Sequence, residues 1–335
     1  MKIYRSILIV IVVFLVTFFT QCSKGGNTLD NLPIDTLPTP SLPTDTLSGG
    51  WEVTHFDTSA IIFDVVFTTP DSGYFVGTKG VGRSTDGGRT WKYLNNSRAD
   101  FLFVTLDRKV FYVMLQYPQA TLFLSKDDLL DFAPLITDDF SDLYFVSADT
   151  GFISVKDGKL LQTVDGGISW KAIVNLSGNT WSDPTLPFFI DNKTGWIGAN
   201  NGVYRSTDSI TTWEKCSFTT APVFAAHSSA LVFAPTKDTV FTTVGGNVYR
   251  SENGGKVFDL VFQSHRPSEF SDLYFINSLE GYVTCDNAIY RTNDGGNTWE
   301  RVVYLADGGL FELHFTDKNH GWAVGTRGTI LIFKR

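Results

Sequence analysis

This sequence predicts an all-β fold, a seven-bladed β-propeller of four-stranded blades, and three observations carry that expectation. An eight-residue signature recurs six times, each recurrence carries four strand-like runs, and the two chain ends hold complementary fragments of a further unit. The clear copies are Ser84–Trp91 (STDGGRTW), Thr163–Trp170 (TVDGGISW), Ser206–Trp213 (STDSITTW) and Thr292–Trp299 (TNDGGNTW). Two copies are worn, Ser251–Phe258 (SENGGKVF) and Ser125–Phe132 (SKDDLLDF). Successive copies begin 38 to 45 residues apart, the length of one radial four-stranded sheet.

Within a unit the order is constant. Asp272–Ile276 and Tyr282–Thr284 are short apolar or β-branched runs separated by the polar turn Asn277–Gly281. A third run, Ile289–Thr292, leads into the signature, and a fourth, Glu300–Tyr304, leaves it. Such runs bounded by Gly, Asn and Asp read as strands joined by hairpins. The signature is then the hairpin between the third and fourth strands. Its acidic or amide residue (Asp86, Asp127, Asp165, Asp208, Asn253, Asp294) accepts hydrogen bonds from turn N–H groups, and its Gly pair supplies positive φ. The closing Trp91, Trp170, Trp213 and Trp299 pack between sheets. These residues are expected to serve folding rather than chemistry.

A seventh unit follows the sixth signature and stops after three strands, at Thr329–Phe333. Trp51–Phe56 matches the stretch that follows each signature, as in Trp299-Glu300 and Trp213-Glu214, so strand 51–56 is expected to complete the last blade and close the ring. Residues 51–335 are therefore one propeller domain. No long run with a period of 3.6 is present, so helix is expected to be nearly absent.

The N-terminus has another character. Lys2 and Arg5 precede the apolar run Ile7–Phe19, and Cys22 follows. The arrangement resembles a bacterial lipoprotein signal, with Phe19 and Gln21 departing from its usual residues. The resemblance implies a signal peptide over 1–21, acylation of Cys22 and a lipid anchor in the membrane. Ser23 behind the Cys points to the outer membrane, and the absence of acidic residues there favours the periplasmic side over the cell surface. Residues 22–50, rich in Pro and Thr, read as a tether of about 30 Å as a loose coil and about 80 Å fully extended.

The remaining Cys216 and Cys285 fall in different strands two units apart, too far for a disulfide, and are expected as buried free thiols. No C-x-x-C or zinc spacing occurs, and neither metal nor cofactor is expected. The net charge of −8, with no Arg/Lys cluster, argues against nucleic acid as a partner.

Propeller topology places the signature hairpins and the first-to-second-strand turns on one face. The opposite face carries the second-to-third-strand turns and the connections between units, which vary in length and composition and are the expected binding loops. Candidates there are Lys79 and Arg327, in equivalent turns aimed toward the channel, Trp181 in the longest connection, and the basic pair His265 and Arg266. The Arg before several signatures (Arg83, Arg205, Arg250, Arg291) is a repeat feature.

The signature resembles the Asp box, or bacterial-neuraminidase repeat. The fuller pattern over Gly73–Trp91 and Gly195–Trp213 is most similar to the photosystem II stability/assembly-factor type of propeller, which also occurs in bacteria without photosynthesis. The resemblance spans nearly all of 51–335 and implies a non-catalytic scaffold that binds protein during envelope or complex assembly. A propeller that binds an envelope glycan is one alternative, and a sialidase-like glycoside hydrolase is the other. It needs an arginine triad, a Tyr nucleophile with a supporting Glu, and an Asp acid/base. No Arg-Ile-Pro motif precedes the first signature, and nothing selects a triad from the Arg residues outside the repeat.

Overall fold

Each repeat folds its short apolar runs into an antiparallel meander, and the second strand is buried on both faces. Gly73–Gly77, Gly151–Val155, Gly195–Ala199, Val240–Val244 and Gly281–Cys285 have no exposed residue. A strand covered on both sides must stand between two neighbouring sheets, which is the packing of a β-propeller. The computed structural model describes residues 45–335 except 105–109, 117–118, 126–131, 139, 156–158, 176–186, 192, 200, 209, 211, 223–229 and 265–269. The signal peptide, Cys22 and most of the tether lie outside the described residues, as do Asp127, Trp181, His265 and Arg266.

The described strands form seven sheets. In chain order their first strands are Ile62–Phe67, Phe101–Val104, Phe140–Phe145, Pro187–Phe189, Leu231–Phe233, Phe270–Phe275 and Leu310–Asp317. The only helical element among the described residues is the short turn Thr326–Gly328. The seventh sheet is built from both chain ends: Trp51–His55 pairs antiparallel with Thr329–Lys334, with Trp51 opposite Phe333 and His55 opposite Thr329. Trp51 is buried among Tyr282, Phe315 and Phe333, at ring separations of 6.1, 6.0 and 5.2 Å.

Neighbouring sheets are held by an aromatic rule. In five sheets a Gly at or next to the start of the second strand (Gly73, Gly151, Gly195, Gly281, Gly321) lies under the last Phe of the first strand. At Gly195 a Cβ would sit 2.1 Å from the Phe189 ring, so no larger residue fits. In four places the aromatic after that Gly, or its counterpart in the fifth sheet, lies on the equivalent Phe of the next sheet, stacked in three and tilted by 31° at Phe152. The pairs are Phe152–Phe189 at 4.0 Å, Phe241–Phe275 at 3.8 Å, Tyr282–Phe315 at 4.7 Å and Trp322–Phe67 at 3.5 Å. Each fully buried aromatic contributes about 2–3 kcal/mol. Carboxylates add directed links: Asp64 Oδ2 accepts from Leu102 N at 2.8 Å and Asp272 Oδ2 from Leu313 N at 2.7 Å, each from one first strand to the next.

Two sheets carry a fifth strand. Ser217–Phe218 runs parallel to Val257–Gln263, with Phe218 stacked on Phe258, the residue standing where other signatures have Trp. Thr46–Leu47 pairs antiparallel with Glu300–Tyr304. The sequence pattern assigns 46–50 to the tether, yet these residues lie on the propeller. The outer edge of Glu300–Tyr304 offers unpaired backbone groups, and Leu47 packs against the cluster around Val302 and Leu305.

Candidate functional site

The signature turns are closed by their own side chains. In the first copy Ser84 Oγ donates to Asp86 Oδ1 (2.8 Å) and accepts from Gly88 N (2.9 Å). Thr90 donates to Asp86 through both N and Oγ1, at 2.9 and 2.5 Å, and Trp91 Nε1 donates to Gly88 O at 2.9 Å. Asp165 with Trp170 and Asp294 with Trp299 repeat this pattern. Asn253 keeps its core, accepting from Ser251 Oγ and Val257 N. Asp208 accepts from Ser206 and Thr212, but Ile210 takes the left-handed conformation (φ 69°) that Gly holds elsewhere, and Trp213 Nε1 is buried without a partner. The hydrogen bonds from Ser169 and Thr163 draw the Asp165 carboxyl down to about 2. Burial opposes the same shift at Asp86 and Asp294, but the turn hydrogen bonds outweigh it and both are lowered.

Two of the Arg residues before the signatures join sheets. Arg205 Nη1 donates to Gly254 O at 3.1 Å and Arg250 Nη1 to Gly295 O at 2.6 Å, each in the next sheet's turn. Arg291 pairs with Glu280 at 2.8 Å, and Arg335 reaches the same carboxylate. Arg83 lies 5.7 Å from the Tyr74 ring. The exposed large apolar residues among those described, Val164 and Ile168 in the third sheet and Leu279 in the sixth, all lie on this face.

The opposite face has a groove at the seam where the first, sixth and seventh sheets meet. It holds about 300 Å³ and is lined by Asp45, His55, Thr58, Leu305, Asp307 and Arg327. Leu305 is buried. Asp45 Oδ1 accepts from Ala306 N at 2.9 Å, which carries the end of the tether onto the groove wall. Arg327 has φ 57°, a conformation costing about 1–2 kcal/mol for a residue with a Cβ, and its guanidinium pairs with Asp307. Thr326 Oγ1 accepts from Gly309 N at 2.8 Å, tying this turn to the preceding connection.

Beside the groove, Asp57 gathers donors from three residues. Ser59 Oγ is at 2.7 Å, Lys79 Nζ at 2.9 Å and Tyr93 OH at 3.4 Å. The Ser59 and Lys79 bonds lower the Asp57 carboxyl to about 2. Burial, then the Asp57 charge, pushes the Tyr93 hydroxyl up to about 12. Lys79 and Arg327 thus occupy the expected turns, but each is engaged by a carboxylate of an inter-sheet connection rather than aimed free into the channel. Asp45, His55, Thr58, Asp57 and Asp307 escaped the sequence reading. The turn chemistry of Asp57-Thr58-Ser59 and Asp307-Gly308-Gly309 was a usable signal. Cys216 and Cys285 are buried free thiols, and burial raises Cys216 to about 12, which leaves it unreactive.

No protein-family model matches the chain. The sequence is 24% identical over 294 residues to the photosystem II assembly lipoprotein Ycf48 of Synechococcus sp. (strain CC9902), covering 85% of this chain and 76% of that protein. The fold is similar to the solved structure of YCF48 from Cyanidioschyzon merolae, with a TM-score of 0.68 at 18% identity, over 85% of this chain and 99% of that one. It is also similar to YCF48 bound to D1 peptide, with a TM-score of 0.66 at 17% identity, over 89% and 100% of the two chains. At these identities the structural likeness establishes the propeller fold alone.

Proposed function

We propose that this chain is a non-catalytic propeller scaffold that binds a polypeptide segment of a partner protein during assembly of a larger complex in the bacterial cell envelope. The observation that carries this reading is the likeness, over most of the chain, to assembly-factor propellers, one of them solved with a peptide bound. On this reading each of the seven sheets is one blade and the signatures are Asp boxes. Cys22 is the acylated anchor, holding the propeller at the periplasmic face of the outer membrane. The loop face carrying the groove meets the partner. Its lining supports that use, because its charged groups are exposed and held by connections rather than by the propeller core.

The test is crosslinking in intact cells, followed by affinity capture of the chain and mass spectrometry. A stoichiometric protein crosslinked through the loop face is the expected result. Recovery of polysaccharide with no protein partner overturns the reading in favour of glycan binding. Palmitate labelling that survives Cys22→Ala removes the anchor, and a density map of the ring showing six blades removes the blade count.

A further inference from the structure

The groove at the seam has a charge pattern that selects a ligand. Its lining carries two carboxylates, Asp45 and Asp307, against one guanidinium, Arg327, together with the imidazole of His55. Asp307 is already answered by Arg327. Asp45 forms no ion pair with any described residue. One of its oxygens takes the Ala306 N–H, which orients the carboxylate without neutralising it. Leu305 supplies a buried apolar surface beside it, and Thr58 an exposed hydroxyl. Among the described residues no Phe, Tyr or Trp lines the groove, so it lacks the broad ring on which a sugar or a base would stack.

The walls are held in place. Ser48 N and Oγ both donate to Val302 O, at 2.9 and 3.1 Å, which ties the strand behind Asp45 to the sixth sheet. Leu305 N donates to Asn287 O at 2.8 Å and Leu310 N to Asp286 O at 2.6 Å, so the connection carrying Asp307 is fastened at both ends. Asp286, like Arg327, is a non-glycine residue with positive φ. Two of the three such residues among those described therefore border this seam, and strained backbone of this kind concentrates where a surface is shaped for binding.

An apolar surface beside an oriented, unneutralised carboxylate fits an aliphatic stem ending in a cation. Resting on the scaffold reading above, we infer that this groove receives a basic side chain, Lys or Arg, of the partner polypeptide, with Asp45 as its counter-charge. Arg327 then acts as a rim group. Its side chain is 57% exposed and that of Asp307 is 71% exposed, so it can turn outward as the ligand enters. The carboxylate that meets the partner also belongs to the segment that leads into the tether, so binding and anchoring share one short stretch of chain.

The test is photoaffinity labelling of the full-length chain in detergent micelles with Ac-Gly-Arg-Gly-NH2 carrying a diazirine. Label is expected on peptides spanning 45–58 and 304–309, suppressed by excess unlabelled Ac-Gly-Arg-Gly-NH2 and not by Ac-Gly-Glu-Gly-NH2. Asp45→Asn keeps an oxygen for the Ala306 N–H while removing the charge, and is expected to cut labelling about five- to tenfold. Thr58→Lys, at an exposed position, places a competing cation in the groove and is expected to abolish labelling without disturbing the fold. Label scattered over the surface, or unchanged in both variants, overturns the assignment. If a protein partner is captured from cells while Asp45→Asn labels normally, the groove assignment fails and the scaffold reading stands. If labelling depends on Asp45 but no polypeptide is captured, the scaffold reading fails, and the polypeptide falls with it as the source of the basic group.

Discussion

Trp322 lies flat on Phe67, with ring centroids 3.5 Å apart and planes 5° from parallel, and its Nε1 donates to Gly87 O at 3.0 Å. One side chain from the last sheet thus grips both the first strand and the signature turn of the first sheet. Trp196 makes the equivalent bond to Gly254 O at 3.1 Å between the fourth and fifth sheets. Trp322→Phe keeps the stack and loses the bond, for an expected loss of about 1 kcal/mol. Trp322→Ala empties the seam and is expected to cost about 3–5 kcal/mol. Urea denaturation separates the two, and equal losses would show that the hydrogen bond, not the stacking, closes the ring.

The signatures make a second prediction from inside the chain. Asn253 already performs the role of the signature Asp with a neutral amide. Asp294→Asn should therefore cost less than about 1 kcal/mol, whereas Asp294→Ala, which strips the acceptor from Thr292 and Thr298, should cost about 1–3 kcal/mol. Thermal melts of the two variants decide it. A large loss in the Asn variant would mean that charge, not acceptor geometry, holds the turn.

Gly195 is the place where the aromatic rule tolerates no side chain. Gly195→Ala drives a methyl into the Phe189 ring, and the strand cannot retreat because it is covered on both faces. An overpacking loss of about 1–3 kcal/mol is expected. Phe189→Leu in the same chain should recover part of it. No recovery would place the conflict in the backbone instead.

Acid sensitivity should have two origins. His314 bonds to Phe67 O across the closing seam at 2.9 Å, so its Nε2 carries the proton, and burial lowers its pKa to about 4. The unfolded chain binds a proton there below about 6.5 while the folded one does not, so stability falls as pH drops from about 6.5 to about 4, by roughly 2 kcal/mol. His314→Gln is expected to flatten that part of the pH–stability curve. The signature carboxylates act lower. All three are lowered, Asp165 to about 2, so they stabilise the fold above the ordinary carboxylate range, and that contribution is lost as pH falls through the lowered values. A curve for His314→Gln that matches the parent between pH 4 and 6.5 would exclude the histidine.

The architecture was legible because a repeat announces itself through short-range chemistry. Asp86 and Gly88 satisfy their turn with atoms within four residues, so most of the signature's structure is encoded in the signature itself. The match between Trp51-Glu52 and Trp299-Glu300 revealed the pairing of the chain ends for the same reason. An overlooked signal of this kind is the hexapeptide FSDLYF, which forms the first strand of both the third and the sixth sheets. The groove had no such signature. Its six residues come from three stretches of chain, and Asp45 lines it only because Thr46–Leu47 found an open strand edge on the sixth sheet.

By itself, then, the sequence determined the all-β propeller class, the signature turns and the buried free thiols, since each depends on local backbone preference or on a period that many units share. Tertiary structure decided which Gly must stay small, which aromatic grips which neighbour, and where Asp45, Asp307 and Arg327 converge. Those outcomes depend on contacts between residues as far apart as 261 positions, as Asp45 and Ala306 are, and no local rule encodes them.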